Sequence, residues 1–387
     1  MKRISYIIVA MLLLCSSFSF AEDEYDNSEV GYFYARGKVM EVLSDLQNTD
    51  ENNTGQLNID KQVIKIRVTS GKYKNEEYII ENHVSGNPVF DIIVKEGDNV
   101  ILDIEEDENG VPEISVADFA RDKYSALLLF VFIGLLILIG KMKGVKSVIS
   151  LTITGAVVMK LMLPMILKGF NPIWVAILSA TIITSVTFII IAGINIKSFS
   201  AIIGTIGGVV SAGILAYIVG SLVKLTGLSS EEASMLMFIP QQINFDYRGL
   251  LFAGIIIGTL GAVMDIGMSI ASAMYEMKNL NPEMPPSKLI ASGLNIGRDV
   301  MGTMSNTLIL AYTGSSVPLL LLFMAYDTPL IKILNLDMIA TEIVRALVGS
   351  IGLIVAIPIT AMATGLILKY EHIFPKFKKQ SNEEQKN

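Results

Sequence analysis

Leu250–Met277 reads LLFAGIIIGTLGAVMDIGMSIASAMYEM, and after a polar linker residues 295–320 read NIGRDVMGTMSNTLILAYTGSSVPLL. Each holds an apolar run of about 20 residues, the length that crosses a bilayer as a helix. Each also carries groups that hydrocarbon resists. An aspartate at the centre of a membrane helix costs at least about 2.5 kcal/mol on the most lenient scale. The stretch therefore predicts two membrane helices whose polar residues have a use.

Helical periodicity sorts those residues onto faces. Asp265 shares a narrow arc with Gly258, Gly261, Ser269, Ser272 and Glu276, and Asp299 shares one with Thr303, Asn306 and Thr313. An intramembrane carboxylate among hydroxyls and an amide is the chemistry of a proton or sodium site. The plainer alternative is a neutral carboxyl bonded to Ser or Asn that only holds helices together. The best pairing is Asp265 with Asn306, and Glu276, Arg298 and Asp299 form a rim at the membrane surface, Asp299 being placed at the foot of its helix. The run Gly314–Pro318 (GSSVP) predicts a break inside the sixth span. Gly204, Gly208, Gly254 and Gly258 are small-residue positions expected to pack helices closely. They lie in or beside two similar runs, IIGTIGGVVSAGI at 202–214 and IIGTLGAVMDIGM at 256–268. Those runs are read either as an inverted repeat around a site or as two glycine-rich helices alike in composition.

Outward from this stretch the whole chain is apolar: 52% of its 387 residues are hydrophobic and the mean hydropathy is +0.55. That excludes an ordinary soluble protein. Charge is segregated, since residues 22–123 hold 24 acidic and 10 basic residues while the remainder to the C-terminus holds 13 and 18. Cys15 is the single cysteine and there are two histidines, His83 and His372. Disulfides, thiolate metal centres and a Ser-His-Asp triad within the membrane have no material, so no metal ligands and no catalytic residues are assigned.

In chain order, residues 1–21 read as a signal peptide with Lys2 and Arg3, an apolar core and Ser19-Phe20-Ala21 at its end. Residues 22–56 are a leader containing a first strand at 35–43, and 57–120 complete a small extracytoplasmic all-β domain, OB-like or barrel. Its other strand candidates are 63–68, 78–84, 99–104 and 112–116, the last two joined across Asp107-Glu108-Asn109-Gly110. The acidic EEDEN run lacks EF-hand spacing and reads as a solvated hairpin tip. Seven spans follow, at 124–140, 148–167, 172–193, 200–222, 250–273, 300–325 and 346–368, then a basic tail at 369–387. Residues 226–248 are too polar to cross and predict an interfacial helix capped by Ser229, with Glu232 three residues on. With the β domain exported, strict alternation puts twelve basic residues on inner segments and five on outer ones, in accord with the positive-inside rule. The fold class is thus an all-α polytopic membrane domain behind a small all-β domain, in a bacterial plasma membrane with a cytoplasmic C-terminus.

Enzyme readings fail on chemistry. GMSIA at 267–271 lies in the membrane with no histidine to serve it, and an aspartyl hydrolase would need Asp265 and Asp299 to share a site. No GxxxxGK[ST] motif is present, so no nucleotide cofactor is implied. Nothing marks a nucleic-acid partner. The partners expected are the bilayer, a small-molecule or ion substrate, and a second copy or a separate membrane protein.

GAVMDIGMSIASAMYEM (261–277), GRDVMGTMSNTLILAYTGSSVPLLL (297–321), the Arg121-Asp122-Lys123 step, KGVKSVISL and LPMILKGFNPIWVAI resemble the YibE/YibF family of bacterial multi-pass membrane proteins. The matching positions include Asp265, Ser269, Glu276, Arg298, Asp299 and Asn306. The resemblance implies a permease-like membrane protein and brings no substrate with it. The expectation is a transporter, possible coupling ions being a proton or a cation. The competing class is a non-transporting envelope sensor or assembly partner that acts through its β domain.

Overall fold

The computed structural model describes residues 32–44, 60–85, 87, 91–107, 110–238 and 245–370. The expected signal segment, most of the leader, the tip residues 108–109 and the tail beyond 370 lie outside them. The chain divides into two units, Met1–Phe132 and Ile133–Asn387.

The first unit is an antiparallel sheet of β1 (Tyr32–Ser44), β2 (Asp60–Val68), β3 (Glu77–Val84), β4 (Asn99–Glu106) and β5 (Pro112–Phe119). Their spatial order is β3-β2-β1-β4-β5. β1 is shared: its first half pairs with β4 and its second half with β2, with Gly37 opposite both Val100 and Val68. Register shifts at Val39/Glu41 and Val42/Ser44 bend this strand, which curls the sheet into a half-barrel. Glycine at position 37 leaves room for Leu102, since a Cβ there would stand 2.6 Å from Leu102 Cδ1 and force that side chain to shift. Alternation then turns Val39, Ile64, Ile66, Val68, Val100, Leu102 and Ile104 into one core, each fully buried. The connector before β4 is tied down by side-chain amides. Gln62 Nε2 donates to Val94 O at 2.9 Å, and Asn82 Nδ2 donates to Ile92 O at 2.6 Å. Asp107 shapes the β4–β5 turn by accepting from Val111 N at 2.7 Å.

The second unit is helical, and its first helix starts within the first unit, at Asp122. A stretch α1 (Asp122–Leu167) is followed by α2 (Pro172–Ala192), α3 (Ile196–Leu222), short α4 (Glu231–Met235), α5 (Tyr247–Leu280), α6 (Pro286–Ser315), α7 (Val317–Ala325), short α8 (Leu330–Leu334) and α9 (Asp337–Lys369). Five of these stretches are long and apolar enough to span a membrane, and the pair α6 with α7, bent by 58°, makes a sixth. The seven separate spans expected from hydropathy differ from this at one place: 124–140 and 148–167 are joined within α1. That stretch has 46 residues, about 69 Å of helix or twice a bilayer's apolar thickness. It is broken at Lys141, which adopts φ 49° and ψ −126°. Beyond the break the chain folds back, so that a Cβ on Gly144 would fall 1.9 Å from Leu136 O. Lys160 sits in a π-helical turn, Val158–Met162. The cap of α4 is Ser230 and not Ser229, since Ser230 Oγ accepts from Ala233 N at 3.2 Å.

α3, α5, α6 and α9 form the centre. A Cβ on Gly208 would lie 2.7 Å from Ala356 Cβ, and one on Gly352 2.7 Å from Ala212 Cβ, so α3 and α9 cross with their backbones nearly touching. Gly213 and Gly220 admit Ile256 and Phe252 of α5, and Gly349 admits Thr259. These contacts run α3 antiparallel to α5 and α9, and α5 parallel to α9. Some buried hydroxyls are satisfied within their own helices, as where Thr360 donates to Ala356 O at 2.7 Å and Thr364 to Thr360 O at 2.8 Å, whereas those of Ser179, Thr184, Thr205 and Thr341 have no hydrogen-bond partner among the described residues.

Candidate functional site on α5 and α6

α5 buries Phe252, Ile256, Val263, Ile270 and Met274 against its neighbours and leaves Gly254, Gly258, Gly261, Asp265, Ser269 and Glu276 exposed. Ser272 is half-buried on the same side and its hydroxyl donates to Met268 Sδ at 3.5 Å. Intervals of three and four residues make this one stripe. Among the described residues no hydrogen bond or ion pair engages the Asp265 carboxylate. The reading as helix glue, a carboxyl buried and bonded to Ser or Asn, does not describe its surroundings within one chain.

α6 packs antiparallel beside α5. A Cβ on Gly293 would lie 2.3 Å from Met274 Sδ, one on Gly297 3.2 Å from Ile270 Cδ1, and one on Gly258 3.0 Å from Tyr312 Oη. At 1.5 Å of rise per residue on both helices, this register sets Thr303 level with Asp265, Asn306 within a turn of it, and Asp299 near Ser269. Arg298, Asp299, Thr303 and Asn306 are all exposed. Thr303 Oγ1 returns its proton to Val300 O at 2.9 Å, and Arg298 Nη1 donates to Asn295 Oδ1 at 3.0 Å. The structure thus sets Asp265, Ser269, Thr303 and Asn306 at neighbouring depths on two adjacent helices, without a direct bond between Asp265 and Asn306.

Asp299 and Arg298 are not at the foot of a helix. α6 begins at Pro286, so both lie more than three turns inside it, and Glu276 lies one turn before the end of α5. The hydropathy window had cut off these polar ends. The four packing glycines also divide. Gly204, whose Cβ would strike Thr360 Oγ1, and Gly208 seat α3 on α9, whereas Gly254 has nothing within 4 Å of an added Cβ. Gly258 meets only the Tyr312 hydroxyl.

One polar group escaped the sequence reading. Arg345 Nη1 donates to Glu342 Oε1 at 2.8 Å, and Arg345 Cζ stands 6.0 Å from the Tyr312 ring centre. Its sequence signal is the i, i+3 pair Glu342-x-x-Arg345, which precedes the apolar run beginning at 346 and so falls outside the span that hydropathy predicts. α9 begins nine residues earlier, at Asp337, whose carboxylate accepts from Thr226 Oγ1 at 2.6 Å.

A half-barrel followed in sequence by a bundle of long apolar helices, with a carboxylate-bearing stripe on the bundle's surface, defines a polytopic helical membrane protein with a small β domain. The chain belongs to the YibE/F family: the family model described as YibE/F-like protein matches residues 128–370, and that of the YibE/F family N-terminal domain matches 32–119. No curated protein and no solved structure matches it.

Proposed function

We propose that this protein is a transporter of the bacterial plasma membrane in which Asp265 takes up a proton or small cation during turnover. The observation that carries this reading is the exposed, unpartnered Asp265 on a stripe of Gly and Ser, level with Thr303 and near Asn306. An ionised carboxylate left against lipid is unfavourable by about 2.5–3.5 kcal/mol. Water or a bound ion beside the stripe removes that cost, and small side chains leave the room. Ser269, Ser272, Thr303 and Asn306 are the oxygen donors to a cation there, and Glu276, Arg298 and Asp299 set the field at its inner approach. In this reading the two arms of α1 cross separately, the β domain lies outside and the C-terminus inside. The chemistry is translocation without catalysis, and no cofactor takes part.

The test uses purified protein in liposomes, with proton and sodium flux driven by an imposed potential and followed by ion-sensitive dyes. Asp265→Asn keeps size and most hydrogen bonding, so flux is expected to fall at least tenfold at normal protein levels, with Asp265→Glu partly active. Undiminished flux in Asp265→Asn refutes the carboxylate's role. A second reading, an envelope sensor, draws support from the exposed Tyr32 and Tyr34 rings, 5.5 Å apart edge to face, with Tyr32 donating to Asp103 Oδ2 at 2.7 Å. Binding of an envelope component by residues 32–119, abolished by Tyr34→Ala, would favour it.

A further inference from the structure

Near the N-terminal end of α5 the bundle holds the pair Glu342–Arg345, which the transport reading does not use. Their side chains are 24% and 31% exposed. Two polar atoms of the group are sealed from solvent with no hydrogen-bond partner, Glu342 Oε2 and Tyr312 Oη. The Tyr312 hydroxyl also stands against Gly258, on the same stripe as Asp265. Seven residues of α5, about 10 Å, separate Gly258 from Asp265, and the one glycine between them on that stripe, Gly261, has open space beside it.

We infer that Glu342 is a second proton-binding carboxylate of the same path, on its outer side, with Arg345 as its latch and Tyr312 as the link toward Asp265. This rests on the transport reading and narrows it: the coupling ion is the proton. A sealed carboxylate oxygen without a donor is unfavourable, and a proton is the ligand that reaches it without displacing a side chain. A proton from outer-side water forms the O–H bond at Oε2. Glu342 then becomes a neutral acid, its charge attraction for Arg345 ends, and the guanidinium is free to settle on the face of the Tyr312 ring. The proton leaves Oε2 by way of the phenol, which can accept one and release its own, toward water beside Gly261 and the Asp265 carboxylate. Arg345 and Asp337 come from its own helix and Tyr312 from α6, α8 carries the exposed Lys332, α3 carries the exposed Tyr217 and is followed by the exposed Lys224, and α5 brings the half-buried Arg248 and, between it and Asp265, no further titratable residue.

The probe is dicyclohexylcarbodiimide, an apolar reagent that adds to protonated carboxyl groups, applied to the full-length protein in liposomes and followed by peptide mass spectrometry. An adduct is expected on Glu342 with a yield that rises as pH falls. In Arg345→Gln, which breaks the 2.8 Å pair, the yield at a fixed pH should rise severalfold. No adduct on Glu342 at any pH while Asp265 reacts, or a yield indifferent to Arg345→Gln, overturns the inference. Labelling of the wild-type protein needs no variant to fold, and Glu342→Asp, which keeps the acid, should retain flux where Glu342→Gln loses at least tenfold. The two readings fail separately. Full flux in Glu342→Gln with lost flux in Asp265→Asn removes the outer carboxylate alone, whereas full flux in Asp265→Asn removes the transport reading on which it rests.

Discussion

Gly208 and Gly254 are both mid-helix glycines in apolar surroundings, and alanine at either gains the same helix propensity, about 1 kcal/mol. Their spaces differ. A Cβ at Gly208 would lie 2.7 Å from Ala356 Cβ and 2.8 Å from Gly352 O, and at Gly254 nothing stands within 4 Å. Ordinary carbon contacts need about 3.5–4.0 Å, so Gly208→Ala must part α3 and α9 by about 1 Å. Neither obstacle is the end of a flexible side chain. Overpacking of this kind costs about 1–3 kcal/mol, and because the propensity gain is common to both variants, the difference between them isolates it. At about 2–4 °C per kcal/mol for a domain of this size, Gly208→Ala should melt some 2–12 °C below Gly254→Ala. The assay is thermal unfolding of both purified variants in one detergent, followed by intrinsic fluorescence or by loss of the monodisperse chromatographic peak. Equal midpoints, or a lower midpoint for Gly254→Ala, would refute the assignment of α3–α9 as the tight crossing and of the α5 stripe as open.

In the β domain, Leu102→Ala empties the space above Gly37 at a fully buried position and should cost about 2.7–5 kcal/mol in urea unfolding of that domain; a loss under about 1 kcal/mol would mean that the core does not centre there. Acid should loosen the same domain. Glu106 is held below its ordinary pKa by Lys72 and Tyr73, Glu77 by Lys65 and Arg67, and Glu81 by Lys61. A folded-state pKa below the unfolded value of 4.5 means that their contribution is complete above about pH 4.5 and fades as pH falls through the lower folded values. A urea midpoint flat between about pH 6 and pH 3 would contradict these pairs. At the alkaline end, burial and the bond to Glu76 push Tyr78 up to about 12. That contribution persists below its unfolded value of 10.0 and disappears as pH rises through the folded one, which Tyr78→Phe should abolish.

The β domain was legible because its strands bury one face: Val63–Val68 alternates in sequence as it does in space, and so does Asn99–Ile104. Helix interiors were legible by hydropathy, and their ends were not. A window that rewards apolar residues stops where Glu342, Arg345 and Asp299 begin, although helical hydrogen bonding continues through all three. That cut turned Asp299 into a rim residue and Glu342–Arg345 into loop. The union of two expected spans in α1 had a different cause. Lys141, Lys143 and Lys146 read as a loop by charge, but the chain needs only one non-helical residue, Lys141, to turn back.

The two similar runs, IIGTIGGVVSAGI and IIGTLGAVMDIGM, show what periodicity cannot supply. Aligned, Gly204 corresponds to Gly258, Gly207 to Gly261 and Ser211 to Asp265. In α3 these positions are buried or half-buried: Gly204 lies on Thr360, Gly207 on Ile359, and Ser211 returns its proton to Gly207 O at 2.7 Å. In α5 the corresponding face is uncovered, and the helix packs through Val263, Gly267 and Ile270, whose counterparts Val209, Gly213 and Ala216 are buried in α3 as well. A shared pattern therefore gives both helices the same buried face and leaves open whether the opposite one meets a neighbour. The difference is chemical at one position. Serine can turn its hydroxyl to its own backbone and accept a helix against it, whereas an ionised aspartate has no such internal partner and keeps a neighbouring helix off. On this account Asp265→Ser should make α5 resemble α3, abolishing ion flux while raising the thermal midpoint, and a variant that lost stability along with flux would show that the carboxylate holds the fold and does not keep a path open.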